Sequence, residues 1–171
     1  MEKIDVLINS AEIEKRLDEI ANQIMKDYKG EELVFVGILK GASMFLVELA
    51  KRIKTSVEFE FIQVKSYEGT ESSEKIEILQ DLTGKIEGKN VIIIEDIIDT
   101  GRTLEYLINS LKNYNPKSLK IACLLSKSAR RVVELNVDYI GFSIPDEFVI
   151  GYGMDYNEKY RNLPYIGVLR Q

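Results

Sequence analysis

Residues 91–104 read Val-Ile-Ile-Ile-Glu-Asp-Ile-Ile-Asp-Thr-Gly-Arg-Thr-Leu. Four consecutive apolar β-formers, Val91 to Ile94, suit a strand covered on both faces, which predicts a parallel strand inside an α/β sheet. In such sheets ligands gather at the carboxyl ends of the strands, and here that end carries Glu95 and Asp96. Two acids with no base beside them suit the vicinal hydroxyls of a sugar or a hard cation. Asp99-Thr100-Gly101-Arg102-Thr103 then brings backbone N–H groups, two hydroxyls and a glycine tolerant of unusual φ to the start of a helix. Leu104, Leu107, Ile108 and Leu111 form the apolar stripe of that helix. Unpaired amides and the helix dipole both favour an anion, so the turn reads as a phosphate cradle. A lone Asp-Thr-Gly is more often a helix cap. Here three carboxylates, two threonines and a glycine fall within nine residues directly after a buried strand, the strand–turn–helix context that a site requires.

Upstream, Ile13, Leu17, Ile20 and Ile24 recur at helical spacing among charges, predicting an amphipathic helix from Ser10 to about Tyr28. Leu33 to Leu39 reads as an apolar strand, and Ala42 to Arg52 as a helix that turns Phe45, Leu46 and Leu49 to the sheet. Val57, Phe59 and Phe61 alternate with Glu58 and Glu60, the period of a strand with one face less covered. Residues 66–75 turn polar, with the composition of a mobile loop, before Ile76 and Ile78 resume alternation. Downstream, Asn115-Pro116 stops the helix and Leu119 to Leu125 forms another buried strand. A short helix is expected near Ala129 to Leu135, then a strand from Tyr139 to Ile144. Alternating helices and strands predict one doubly wound, mostly parallel α/β sheet flanked by helices. From about Pro145 the pattern becomes irregular and aromatic. Residues 145–171, with the extreme N-terminus, are expected to form a small hood beside the ligand edge.

The 171 residues, 45% hydrophobic, suit a single domain with its own core. A net charge of −5 argues against a general nucleic-acid binder, which needs a basic face. The expected partners are therefore small molecules. No apolar run approaches the ~20 residues of a membrane span, and Met1-Glu2-Lys3 opens no signal-peptide core, so a soluble cytoplasmic protein is expected. The single cysteine, Cys123, lies in an apolar run and reads as a small buried hydrophobe. With no histidine, carboxylates must carry any acid–base role, and zinc or copper is disfavoured against Mg²⁺.

The run Glu95-Asp96-Ile97-Ile98-Asp99-Thr100-Gly101 resembles the phosphoribosyl-pyrophosphate loop of the type I phosphoribosyltransferases, in the version of the hypoxanthine-guanine branch. Leu39-Lys40-Gly41, Ser66-Tyr67, Lys127 and the run from Pro145 through Arg161 agree with it in order. The resemblance implies transfer of a 5-phosphoribosyl group from phosphoribosyl pyrophosphate to a 6-oxopurine nitrogen, with pyrophosphate released. It assigns Thr100, Gly101, Arg102 and Thr103 to the 5-phosphate, and Glu95 and Asp96 to the ribose hydroxyls, directly or through Mg²⁺. Arg102 departs from relatives that carry Lys or an apolar residue there. Asp99 falls near purine N7, where a carboxylate can accept a proton and stabilise developing positive charge. Lys40, Gly41 and Arg161 would hold pyrophosphate, with room for a non-proline cis peptide at Leu39–Lys40. Lys127 would donate to the exocyclic oxygen, Phe148 stack on the base and the Val149 backbone read its edge. Asp155 would bind a second Mg²⁺, its neighbouring backbone reading position 2 of the purine. Ser66 and Tyr67 would belong to a flap that closes over the site and excludes water. Relatives form dimers and tetramers, so a homodimer or homotetramer is expected.

Other readings fit less well. No G-x-x-x-x-G-K-[ST] occurs, and Gly151-Tyr152-Gly153 lacks the third glycine of a dinucleotide fingerprint. Asp96-x-x-Asp99 misses the Asp-x-Asp spacing of aspartyl phosphotransferases. Two alternatives stay open: a xanthine-guanine enzyme of the same family, and a nucleotide-sensing regulator of the same fold that binds RNA.

Overall fold

The computed structural model describes residues 3–67 and 75–170. The main sheet has six strands. In chain order they are β2 (Leu33–Leu39), β3 (Val57–Tyr67), β4 (Lys75–Gln80), β5 (Asn90–Ile98), β6 (Ser118–Ser126) and β7 (Tyr139–Ser143). They lie side by side as β4-β3-β2-β5-β6-β7, every pairing parallel except β3 with β4. The apolar runs Leu33–Leu39 and Val91–Ile94 sit at the centre, where alternate residues serve opposite faces. Leu33, Phe35, Ile92 and Ile94 pack under α1 (Ser10–Tyr28) and α2 (Ser43–Ala50). Val34, Val36, Val91 and Ile93 pack on the other side with Leu104, Leu107 and Leu111 of α3 (Arg102–Lys112). Helices on both faces of a mostly parallel sheet are the architecture expected from the alternating pattern.

Helix α1 begins where predicted because Asn9 and Glu12 cap it reciprocally, each side chain accepting from the other's backbone N–H at 2.9 and 2.8 Å. Its stripe Ile13, Leu17, Ile20 and Ile24 is buried throughout. A buried leucine such as Leu17 contributes about 1.5–3 kcal/mol of apolar transfer, so this face fixes the helix to the sheet.

From β2 the chain winds one way, through α2 to β3. From β5 it winds the other way, through α3 to β6 and β7. The order therefore reverses between β2 and β5, and the crevice of such a sheet opens at the carboxyl ends of these two neighbours. Leu39-Lys40-Gly41 leaves one and Glu95 to Gly101 leaves the other.

Two expectations are corrected. The helix anticipated over 129–135 is only a 3-10 turn at Ser128–Arg130. Beyond it Val132 N–H donates to Thr100 C=O at 3.0 Å. Val133 and Leu135 close over Gly101. The β-branched pair Val132-Val133 favours this extended path, which covers the Thr100-Gly101 turn. The polar stretch from Ser66 also begins inside a strand: β3 runs to Tyr67, which stands opposite Lys75 in an antiparallel hairpin. The expected flap tip, 68–74, lies outside the described residues.

A second sheet joins the two ends of the chain. β1 (Lys3–Ile8) pairs antiparallel with β9 (Ile166–Arg170), and β9 with β8 (Val149–Ile150).

Candidate active site

Strand β5 delivers the acids. Glu95 is buried, and its Oε1 accepts from Asp96 N–H at 3.0 Å, while Asp96 Oδ1 accepts from Ile97 N–H at 2.8 Å. Burial, reinforced by the negative charge of Asp96, pushes the Glu95 carboxyl well above the usual range. Glu95 is thus a group that gains from facing a cation or a hydroxyl. Asp96 is partly exposed, and its Oδ2 lies 1.9 Å from where a side chain on Gly41 would begin. A side chain at Gly41 would therefore displace the Asp96 carboxylate, which rests on the backbone that follows β2.

The turn after β5 places Gly101, at φ 89°, immediately before α3, with Arg102 N–H donating to Thr100 Oγ1 at 3.4 Å and Glu105 N–H to Gly101 C=O at 2.9 Å. The cleft there is about 200 Å³, lined by Glu95, Asp96, Asp99, Thr100, Gly101 and Thr103 among others. It lies at the amide-rich start of α3, where an anion is favoured. Arg102 opens the helix half-buried.

A second cleft, about 250 Å³, is lined by Asp96, Ile97, Asp99, Lys127, Phe148, Val149, Met154 and Asp155. The two clefts share Asp96, Ile97 and Asp99. Lys127 follows β6 and is buried, its Nζ 3.5 Å from Asp146 Oδ1. Phe148 is 55% exposed and makes an edge-to-face contact with Tyr156, ring centroids 5.8 Å apart. Val149 is buried and pairs with Val168.

The third group gathers around Gly41. The Leu39–Lys40 peptide is cis. Lys40 Nζ meets Glu158 Oε2 at 2.8 Å. Arg161 Nη2 meets Asp155 Oδ1 at 3.1 Å and Glu158 Oε1 at 3.3 Å, while its Nη1 donates to Gly153 C=O at 2.8 Å. Gly153, at φ 101°, presses on Gly41: a side chain there would begin 2.1 Å from the Gly41 carbonyl oxygen. Lys40, Gly41 and Arg161 are thus brought together, Lys40 paired with Glu158 and Arg161 with Asp155 and Glu158.

The three expected metal carboxylates do not form one cluster. No set of three or more candidate ligands at metal-holding distance occurs among the described residues. Glu95 and Asp96 are adjacent in β5, but Asp155, though it lines the same cleft as Asp96, is engaged by Arg161 and accepts from Glu158 N–H at 2.8 Å. A guanidinium satisfies the carboxylate that a cation would otherwise need.

Two participants carry no role in the sequence reading. Arg130 Nε donates to Asp99 Oδ1 at 2.6 Å, and its Nη1 lies 3.4 Å from Asp146 Oδ2. Arg130 lies three residues after Lys127, a spacing that signals proximity only once the 3-10 turn is known. Asp146 stands in the quoted Pro145–Arg161 run without a residue-specific signal of its own.

An acidic strand end, an adjoining amide-rich turn at a helix start and a second cleft beside it are the arrangement expected of a phosphoribosyltransferase. The chain belongs to the phosphoribosyl transferase domain family, whose model matches residues 5–157, and within it to the hypoxanthine-guanine phosphoribosyltransferases. A relative of that name from Streptococcus pneumoniae is 50% identical over 97% of this chain and 93% of its own length. One from Staphylococcus aureus is 48% identical over the same shares. The crystal structure of a Bacillus anthracis hypoxanthine-guanine phosphoribosyltransferase superposes with a TM-score of 0.94 at 43% identity, covering all of both chains. The bifunctional TilS/HprT protein of Listeria monocytogenes is 48% identical over 96% of this chain, which spans only 26% of that protein.

Cys123 stands apart from this chemistry. It is fully buried in β6, and its thiol is pushed up to about 12, by burial first and the nearby Glu95 charge second. A raised value disfavours the reactive thiolate at neutral pH. Native protein at pH 8 is expected to resist a thiol-directed alkylating reagent and to take up one equivalent when unfolded. Rapid labelling of the native state, followed by mass spectrometry, would contradict this.

Proposed function

We propose that the chain transfers the 5-phosphoribosyl group of phosphoribosyl pyrophosphate to hypoxanthine or guanine, forming the corresponding nucleoside monophosphate and pyrophosphate. The observation that carries this reading is the pair of clefts joined through Asp96 and Asp99. A ribose seated over their common wall puts its 5-phosphate at the start of α3 and its anomeric carbon towards the base cleft.

In the reaction the purine nitrogen bonds to the anomeric carbon as the bond to pyrophosphate breaks, and the purine loses a proton. Asp99, on the wall common to both clefts, accepts that proton and offsets the positive charge that develops on the purine. Thr100, Gly101 and Thr103 hold the 5-phosphate, and Arg102 contributes its backbone. Glu95 and Asp96 face the ribose hydroxyls. Lys40, Gly41 and Arg161 receive the leaving pyrophosphate, releasing Glu158 and Asp155 as they do so. Phe148, exposed at the cleft, stacks on the base, and Val149 reads its edge with its backbone. The second sheet, built by both chain ends, serves as the hood, and the β3–β4 hairpin that begins at Ser66 and Tyr67 serves as the flap.

The donors fit Mg²⁺: hard carboxylate oxygens, with Asp96 partly exposed and too few protein ligands to enclose an ion, leave most positions to substrate oxygens and water. Bound Mg²⁺ would neutralise pyrophosphate charge, held beside Asp96 and Glu95, with Asp155 available once it leaves Arg161. No helix among the described residues is long and apolar enough to cross a membrane. Cytoplasmic location and self-association as dimers or tetramers complete the proposal.

Lys127 sets the substrate class. A buried ammonium with one long contact to Asp146 is poorly satisfied, and a purine carbonyl oxygen improves it, whereas the amino group of adenine does not. A spectrophotometric assay with hypoxanthine, guanine, xanthine and adenine tests the reading, with turnover expected on the first two and none on adenine. Lys127→Ala is expected to lower kcat/KM for hypoxanthine and guanine by roughly 10- to 150-fold, the worth of a charged hydrogen bond. Turnover of adenine equal to that of hypoxanthine by the unaltered protein would sink the assignment.

A further inference from the structure

We propose that Arg130 and Asp146 form a brace behind the purine cleft and that Arg130 is a positioning residue for phosphoribosyl transfer, acting through Asp99. The proposal rests on the reading of Asp99 as base and Lys127 as donor to the purine oxygen.

Of the groups read as touching the purine, the two charged ones, Asp99 and Lys127, line the base cleft; Arg130 and Asp146 do not. Yet the four form a continuous chain of alternating charge. Asp99 Oδ1 accepts from Arg130 Nε at 2.6 Å, Arg130 Nη1 lies 3.4 Å from Asp146 Oδ2, and Asp146 Oδ1 lies 3.5 Å from Lys127 Nζ. Arg130 and Asp146 thus connect two residues that line the cleft without lining it themselves. The bond to Asp99 engages one carboxylate oxygen and leaves the other for an incoming N–H.

Local backbone geometry explains how Arg130 arrives there. Lys127 N–H donates to Ile98 C=O at 3.0 Å, which docks the segment on the end of β5 beside Asp99. The 3-10 turn at Ser128–Arg130 then closes with Arg130 N–H donating to Lys127 C=O at 3.1 Å. The turn brings Arg130 back beside Lys127, and both side chains reach Asp146, Arg130 Nη1 at 3.4 Å and Lys127 Nζ at 3.5 Å.

Energetics separate a brace from a stabilising salt bridge. The Arg130 and Asp99 side chains are 48% and 44% exposed, and an ion pair so open to water adds little to folding. Its effect is geometric: it confines a carboxylate that would otherwise turn freely. Lys127 is the opposite case, a buried cation for which Asp146 is the paired carboxylate, so Asp146 both neutralises Lys127 and steadies Arg130. A planar guanidinium can span two carboxylates, which the point charge of a lysine ammonium cannot.

The test is steady-state kinetics on the full chain with phosphoribosyl pyrophosphate, hypoxanthine and Mg²⁺, for Arg130→Ala and Arg130→Lys, each in the unaltered and the Asp99→Asn backgrounds. Arg130→Ala is expected to lower kcat on the order of 10-fold, within the 10²-fold that a 1 Å misplacement can cost. KM for phosphoribosyl pyrophosphate and the thermal midpoint should stay unchanged. In the Asp99→Asn background the same substitution should have no further effect, because the group it positions is gone. Arg130→Lys should recover only part of the loss. An unchanged kcat for Arg130→Ala, or the same fold loss in both backgrounds, overturns the brace. Full turnover by Asp99→Asn alone overturns the base assignment itself, and the brace with it, a result that the Arg130 variants alone could not produce.

Discussion

Asp99→Asn is expected to slow phosphoribosyl transfer by about 10²- to 10⁴-fold, the usual contribution of a positioned general base. The substitution keeps size and planarity, and an amide oxygen can still accept from Arg130 Nε. It removes the negative charge and the affinity for a proton. Asp99 belongs to no core cluster and its side chain is 44% exposed, so the fold should be unaffected. The start of α3 and the Gly41 loop are untouched, and phosphoribosyl pyrophosphate should therefore bind nearly as before. The expected signature is a fall in kcat with little change in KM for that substrate. A kcat equal to that of the unaltered protein would remove Asp99 from the mechanism.

Gly153→Ala should damage both the structure and the anion site. Two costs combine. At φ 101° an L-residue is strained by roughly 1–2 kcal/mol. The new Cβ would also begin 2.1 Å from the Gly41 carbonyl oxygen, a backbone atom that cannot turn aside, and such overpacking costs typically about 1–3 kcal/mol. Together these predict a loss of about 2–5 kcal/mol, or roughly 5–20 °C in thermal midpoint for a chain of this size. Gly88→Ala is the internal control, since Gly88 has φ 70° but nothing within 4 Å of the added carbon. It should show the strain alone. Because relief at Gly153 requires Gly41 to move, affinity for phosphoribosyl pyrophosphate should fall by an order of magnitude or more, well beyond the effect at Gly88. Equal midpoints and equal affinities for the two alanine variants would refute the contact.

Much of this was legible in residue order. The β5 strand announced itself through four apolar β-formers, and the turn after it through Asp99, Thr100 and Gly101, because both are local patterns that neighbouring residues decide. Lys127 could be placed at the ligand edge because it follows a buried strand. The ion pair between Lys40 and Glu158 could not, since 118 residues separate the partners and only the folded sheet brings them together. The path of 129–135 differs for a related reason: its backbone is held by Thr100, just past the end of β5, rather than by its own helical bonds. Arg130 escaped notice with it. The strand character of Ser66 and Tyr67 was likewise set by a partner, the pairing with β4, and their polar composition pointed only to a loop.

The pairing of β1 with β9 has its own consequence. Lys3 stands opposite Arg170 and Ile4 opposite Leu169, so two strands far apart in the sequence are the halves of one ribbon. Trimming a few amino-terminal residues would strip β9 of its neighbour and loosen β8, the strand holding Val149, nearly the whole chain away. Conversely, substitutions that strengthen the pairing of β1 with β9 should steady β8, and Val149 with it.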